Sequence, residues 1–397
     1  MLLHPARISK LPEMNSLLLT PEDQLKLHVL LANAQAIRIH EASMSVYGLT
    51  EAGEARVVLN PDRAPGRYLK SVRELLSTEV LGSPGGYPVF MRRWTRMGQV
   101  RNARLEPMLL LGEEEAVIAA ARAPGLNEKL ARRIWWALPT AEVARYLLEN
   151  DTVAQGPFAP ELAAWLLEYL PFEEAPALVI QSVRLVLKPG LIGDAQRRQL
   201  WQRGFRKSHY HAGFLAATPR TLPEPAAARV IPASNLTLLR KPADSGNVFA
   251  GYLLWLLDSA GQAYLAALDR VWQKPADQDV VVALIEGMAG FFRPLHCAAA
   301  ELGAVESLRA AAAHWCACQD VPEALAALLR EAGAWREEIE AMLILAHADE
   351  PLVRPIFAHS DAVGTVMQKQ IEPVTGCLRR AIATLRGVSQ TAAEKSV

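Results

Sequence analysis

The stretch PFAPELAAWLLEYLPFEEAPALVIQSVRLVLKP, residues 157–189, decides the fold. Prolines at 157, 171 and 189 divide it into two segments, each of a length typical of a helix. Within each segment, apolar residues recur three or four positions apart, which is the period of an amphipathic helix. These residues are Leu162, Leu166 and Tyr169, then Val179, Val183 and Val186. The stretch therefore predicts two successive amphipathic helices.

The same spacing extends towards the N-terminus. Pro124 and Pro139 precede Pro157, and alternate breakers lie 33, 32 and 32 residues apart. A two-helix unit of this length, stacked on its neighbours, is the basis of an α-solenoid. We therefore predict an irregular HEAT-like helical-repeat domain over residues 101–218. Prolines that punctuate an ordinary helical domain are the alternative.

Residues 20–100 predict a compact α+β cap. A helix is predicted to start at Thr20-Pro21-Glu22-Asp23. Thr20 can cap it, Pro21 suits its first position, and the two acids face the positive end of the helix dipole. Short segments with alternating apolar residues then indicate an antiparallel meander. Those residues are Ile37 and Ile39; Met44 and Val46; and Ala55, Val57 and Leu59. Tyr68 to Val80 returns to helical spacing.

Five prolines between 219 and 242 predict a linker over residues 219–246. A C-terminal helical domain is expected over 247–388, with a flexible N-terminus at 1–19 and a frayed tail at 389–397. The predicted fold class is mainly α: a small N-terminal α+β cap followed by an irregular HEAT-like α-solenoid or helical-repeat body.

Charge and cysteine content restrict the class of protein. Lys plus Arg and Asp plus Glu number 42 each, so no global charge steers the chain to nucleic acid or membrane. The four cysteines are too sparse for a disulfide framework and fit a reducing compartment. We find neither a signal-peptide core nor an apolar run long enough to span a membrane. The chain is expected to be cytoplasmic, with no membrane partner and nucleic acid unlikely to be one.

Standard catalytic motifs do not occur. The sequence has no P-loop, G-x-S-x-G elbow, H-E-x-x-H, C-x-x-C or dinucleotide fingerprint. We therefore assign no catalytic, cofactor-binding or metal-binding residue, expect no cofactor, and favour a non-enzyme.

The segment His314-Trp315-Cys316-Ala317-Cys318 is the strongest thiol or metal signal. On a helix, positions i and i+2 point to different sides, so Cys316 and Cys318 would not converge on one ion. Buried packing is the favoured interpretation, since cysteine is among the most buried residue types. The alternative makes Cys316 or Cys318 a reactive, persulfide-carrying thiol.

A glycine-rich turn at residues 82–86 leads into a basic aromatic segment. The guanidinium group of arginine can donate paired hydrogen bonds to anionic oxygens, and Trp and Arg are enriched at binding hot spots. We predict partner binding through five residues: Tyr87, Arg92, Arg93, Trp94 and Arg96. The alternative is a solvated face on which Trp94 only packs the cap onto the next helix. A second basic run without acids comprises Arg197, Arg198, Arg203, Arg206 and Lys207.

The chain resembles the DsrS proteins, which are encoded beside the reverse-acting dissimilatory sulfite reductase of sulfur-oxidising bacteria. The resemblance runs from about Leu19 to about residue 218. It is carried by 30–33, 45–49, 82–98, 111–113, 123–126, 169–174 and 182–187. It implies a cytoplasmic accessory protein of sulfur oxidation that contacts one or more pathway proteins, and it carries over no assigned catalytic residues.

Three functions follow from the sequence and the resemblance. The first is a non-catalytic adaptor or regulatory protein of the reverse sulfite reductase pathway, acting through protein–protein contacts. The second is a sulfur-handling protein that uses a C-terminal cysteine. The third is an anion- or nucleic-acid-binding regulator.

Overall fold

The computed structural model describes residues 19–82, 85–86, 105–297, 302–317, 321–358 and 364–388. The chain divides into two compact units, Met1–Leu162 and Ala163–Val397. Each unit has its own helices, and the strands of the described residues belong to the first.

The predicted cap occupies the start of the first unit. Thr20 caps its first helix by accepting a hydrogen bond from the Asp23 N–H. The cap elements are α1 (Pro21–Asn33), β1 (Ala36–His40), β2 (Ser45–Thr50), β3 (Gly53–Val58) and α2 (Pro65–Leu81). The strands form one antiparallel sheet in the order β1-β2-β3. The predicted meander and both flanking helices are confirmed.

The register of the sheet explains how α1 packs on it. Ile39, Val46 and Val57 are paired across the three strands, so the residues of alternating apolarity share one face. Gly48 lies on the same face, and a Cβ there would come within 2.7 Å of Leu30 Cδ1. The missing side chain lets α1 approach the sheet closely.

A buried carboxylate joins the ends of the cap elements. Asp23 is fully buried and accepts hydrogen bonds from the Tyr68 hydroxyl, at 2.5 Å, and from the Asn60 N–H, at 2.8 Å. Because a buried carboxylate is costly without donors, this network fixes α1 against α2.

The rest of the first unit is helical. A 3₁₀ turn at Glu106–Leu110 is followed by short helices, several of which begin with a side-chain cap from Asn127, Thr140 or Asn150. They are α3 (Glu114–Ala121), α4 (Glu128–Ala137), α5 (Ala141–Glu149), α6 (Asp151–Ala154) and α7 (Ala159–Tyr169). The two units divide within α7.

The described part of the second unit is built from helices and 3₁₀ turns. Its first half contains α8 (Pro176–Val186), α9 (Asp194–Arg203), α10 (Ser208–Ala217), α11 (Ala233–Asp244) and α12 (Val248–Leu257). Its second half contains α13 (Ser259–Gln273), α14 (Gln278–Phe292), α15 (Val305–Ala317), α16 (Glu323–Glu331), α17 (Arg336–Ala346), α18 (Arg354–Phe357) and α19 (Gly364–Arg386).

Helices distant in sequence pack together in this unit. Helix α10 packs on α8 and on α14, and α19 packs on α13 and α17. The core therefore joins elements beyond successive neighbours, because α19 returns to cover helices that precede it by many residues. A mainly α protein with a small α+β cap and a helical body is confirmed.

The proline-rich segment predicted as a linker lies within the second unit. Its second half forms α11, and its first half is fastened by Arg229. The Arg229 guanidinium donates to the carbonyls of Thr384 and Leu385 and pairs with Glu338 at 2.9 Å. This contact ties residues outside regular structure to the last turn of α19.

In the residues that the structure describes, none of the helices is long and apolar enough to cross a membrane.

Gly261→Ala is expected to destabilise the protein by about 3 kcal/mol, as overpacking of a tight site does. A Cβ at Gly261 would lie 2.0 Å from the Trp255 carbonyl oxygen and 2.4 Å from Leu256 Cα, at the corner between α12 and α13. Urea unfolding measures the change.

Gly251→Ala is the matched control. This glycine is also helical, but nothing lies within 4 Å of a Cβ added there. The control should gain about 0.5–1 kcal/mol from helix propensity. Equal stability of the two variants would contradict the close approach of α12 and α13.

Candidate functional site

A cationic cleft in the second unit is the candidate site. Its volume is about 560 Å³. Residues 204–209 and His211 form one wall. The end of α13 and the residues after it, from Arg270 to Ala276, form another, and Gly364 and Gln368 at the start of α19 form a third. Chain segments far apart in sequence therefore meet around one cavity.

A glycine shapes the first wall. Helix α9 ends at Arg203, and a Cβ on the next residue, Gly204, would lie 2.1 Å from the His211 ring. Only glycine lets the backbone pass this close, and the following residues Phe205, Arg206 and Lys207 are exposed in the cleft.

His211 lies at the floor of the cleft, where it packs against its neighbours and does not titrate near pH 7. Its ring packs 4.1 Å from Trp201 and 5.0 Å from Phe205, between centroids, and its Nε2 lies 3.1 Å from the Trp201 carbonyl oxygen. Burial, with a smaller effect from Arg270, lowers the pKa of His211 to about 4. The ring is therefore neutral near pH 7 and donates to that carbonyl.

The charged side chains of the cleft leave an excess of positive charge. Arg270 binds the Glu224 carboxylate with two hydrogen bonds, of 2.8 and 3.0 Å, which hold the pKa of Glu224 below its usual value. Arg206, Lys207 and Lys274 form no ion pair with any residue that the structure describes. Three cations are thus available to a ligand.

His209 is oriented by a carboxylate. Its Nε2 lies 2.5 Å from Asp277 Oδ2, while Asp277 Oδ1 accepts the Val280 N–H and so caps α14. Burial alone would raise the pKa of Asp277. The hydrogen bonds from His209, Val280 and Asp279 outweigh that effect and leave the pKa below its usual value. Asp277 is therefore charged near pH 7, and its Oδ2 is already hydrogen-bonded to His209.

Helix starts add to the positive potential. Helix α10 begins with no side-chain cap, and the Ser208 hydroxyl oxygen is buried with no hydrogen-bond partner. Helix α19 begins at Gly364, also on the cleft wall. Uncapped N–H groups and the positive end of a helix dipole both favour an anion.

A second cleft, in the first unit, has the opposite balance. Its volume is about 540 Å³, and its acids, Glu41 and residues 113–115, outnumber the two arginines, Arg38 and Arg73. Arg73 pairs with Glu41, and Arg38 with Glu54. Among the described residues, the lining of this cavity therefore has no excess of cations for an anion.

The predicted partner-binding residues lie outside the described residues. These are Tyr87, Arg92, Arg93, Trp94 and Arg96, and the predicted thiol Cys318 lies outside them too. Their assignment stays a prediction.

Cys316 is described and lies near the end of α15, 5% exposed. Burial, with a smaller effect from Glu340, raises the pKa of its thiol to about 11, and burial raises the pKa of Cys297 to about 11. The imidazole of His347 accepts the Cys297 N–H at 3.0 Å and packs against the Trp315 ring at a tilt of 38°. A reactive thiolate needs exposure and nearby cations, and this environment favours the thiol form instead.

Metal ligation gains no support from the described residues, in which no group of three His, Cys, Asp or Glu side chains is placed to hold an ion.

The second basic run of the sequence supplied part of the site. Arg206 and Lys207 line the cleft, whereas Arg197 instead donates to Thr218 and Thr221. The sequence did not indicate Arg270 or Lys274, because their segment is joined to the basic run only by the packing of α10, α13 and α19. For His209, the signal available in the sequence was its position just after the basic run that ends at Lys207.

Iodoacetamide at pH 8 is expected to leave Cys297 and Cys316 unmodified in the folded protein. With a pKa of about 11, each thiol is ionised to only about one part in a thousand at that pH. Peptide mass mapping measures the modification, and protein unfolded in urea, in which both should react, is the control. Rapid stoichiometric labelling of Cys316 in the folded protein would restore the sulfur-carrier hypothesis.

Comparison with protein-family models, curated proteins and solved structures finds no match to this chain.

Proposed function

We propose that this chain is a non-catalytic, cytoplasmic accessory protein of sulfur oxidation that binds a small anion in the cationic cleft. The observation that carries the anion-binding role is the cleft itself, in which two helix starts and three cations without an ion pair to the described residues surround one cavity. The cellular context and the pathway partners rest on the resemblance to the DsrS proteins.

Binding is favoured over catalysis by the state of the polar groups in the cleft. A nucleophilic serine requires a base within hydrogen-bond distance, but the Ser208 hydroxyl has no hydrogen-bond partner. His209 is engaged by Asp277, and His211 is buried and neutral. Fixed cations that hold an anion, without an activated nucleophile, suit a receptor or a regulatory site.

The geometry also ranks the two alternatives. The buried, protonated state of Cys316 disfavours this thiol as a sulfur carrier, while the assignment of Cys318 stays a prediction. Binding of long nucleic acids needs a positively charged groove that follows the backbone over several nucleotides. The cations found here surround one cavity of small-molecule size instead.

Arg206→Ala/Lys274→Ala is expected to weaken anion binding at least tenfold, because each removed cation contributes a charge-assisted contact. Isothermal titration of the full chain with inorganic phosphate and with sulfite, at low and moderate salt, measures the affinity. Affinity of the unsubstituted protein should fall as salt rises.

Arg198→Ala/Lys241→Ala is the matched control. It removes the same charge from the second unit, at exposed cations that do not line the cleft. If the control weakens binding as much as the cleft variant does, net charge and not the cleft governs binding. No binding of either anion by the unsubstituted protein would contradict the proposal.

Affinity purification from sulfur-grown cells is expected to recover proteins of the sulfur-oxidation pathway. If the basic aromatic segment is the contact, Arg92→Glu/Arg93→Glu should lose those proteins while keeping its melting temperature. Arg198→Glu/Arg240→Glu, with the same charge change elsewhere, should retain them. Recovery of the same proteins by the segment variant would show that the contact lies in another part of the chain.

A further inference from the structure

We infer that the ligand of the cationic cleft is a nucleoside phosphate, with its phosphate at the start of α10 and its base on Phe205. This inference rests on the proposed anion binding and goes further by naming the class of ligand. It combines the volume of the cavity, the position of its donors and the exposure of one aromatic ring.

The cavity is larger than a bare oxyanion needs. Its volume of about 560 Å³ falls within the range of about 300–1,000 Å³ that is typical of small-molecule sites. A phosphate or sulfate alone would leave most of this space to water. The volume therefore fits an anion that carries a further organic group.

The anionic end is assigned to the start of α10. Among the described residues, no side chain caps this helix, so its first N–H groups are left for another acceptor. Lys207 precedes this turn, and Lys274 and Gly364 lie on the two other walls. A phosphate can accept hydrogen bonds from the first N–H groups of α10 while the cations balance its charge.

The aromatic end is assigned to Phe205. This side chain lines the cleft and stays 50% exposed, although the Arg270 guanidinium lies 4.8 Å over its ring and the His211 ring meets it at 5.0 Å. An exposed phenyl ring beside cations offers a stacking surface for a planar base. Buried Val271 extends the apolar surface of the same cleft.

These features separate a nucleoside phosphate from its competitors. A bare oxyanion leaves the Phe205 ring unused, and a neutral nucleoside leaves the three cations unused. A single-stranded oligonucleotide would need further cations and rings beyond the cleft.

Titration calorimetry of the full chain with AMP, ribose 5-phosphate and adenosine tests the inference. AMP should bind about tenfold more tightly than ribose 5-phosphate, as stacking on one aromatic side chain allows. Adenosine should bind more weakly than AMP, because it has no charge. Phe205→Ala should reduce AMP affinity to that of ribose 5-phosphate, and Phe205→Trp should retain the advantage of AMP.

The outcomes distinguish this inference from the proposed function. Equal affinity of AMP and ribose 5-phosphate, with loss of both in Arg206→Ala/Lys274→Ala, overturns the assignment of the base and leaves anion binding in place. Binding of none of the phosphates overturns both. A thymidine oligonucleotide that binds more tightly than AMP overturns the small-ligand assignment in favour of nucleic acid. The comparison of ligands on the unsubstituted protein decides the case even if Phe205→Ala fails to fold.

Discussion

The close passage of Gly204 over the His211 ring is the constraint on which the cleft depends. With no Cβ at this position, the chain turns directly from α9 into α10, and its next three residues are exposed in the cleft. Burial keeps the imidazole neutral, so it supports the turn without placing another charge in the core. A larger residue at position 204 would displace the wall that presents Phe205, Arg206 and Lys207.

The charges of the cleft are divided between structural and available groups. Arg270 is held by Glu224, and Asp277 is held between His209 and the start of α14. These pairs position the walls but add little net charge. Arg206, Lys207 and Lys274 lack such pairs with the described residues, so the potential of the cavity comes from them and from the helix starts.

Local sequence signals predicted the secondary structure well where one segment carries all the information. The meander followed from apolar alternation at Ile37, Val46 and Val57, and the start of α1 followed from Thr20 and Pro21. The cleft could not be found in this way, because its walls come from segments more than 50 residues apart, at Gly204, Arg270 and Gly364. Only the basic run near Arg206 gave a local signal, since charge density is visible in the sequence and helix packing is not. Proline spacing likewise indicated helices but not the return of α19 onto α13.

The two ends of α19 differ in how their dipole charges are met. This helix has 23 residues, and at about 1.5 Å per residue its ends are roughly 35 Å apart. At its negative pole, the guanidinium of Arg229 binds the carbonyls of Thr384 and Leu385. Its positive pole, at Gly364, opens on the cleft. The negative pole is therefore bound by protein groups, whereas the positive pole lies on the wall of the cleft, where it favours an anion.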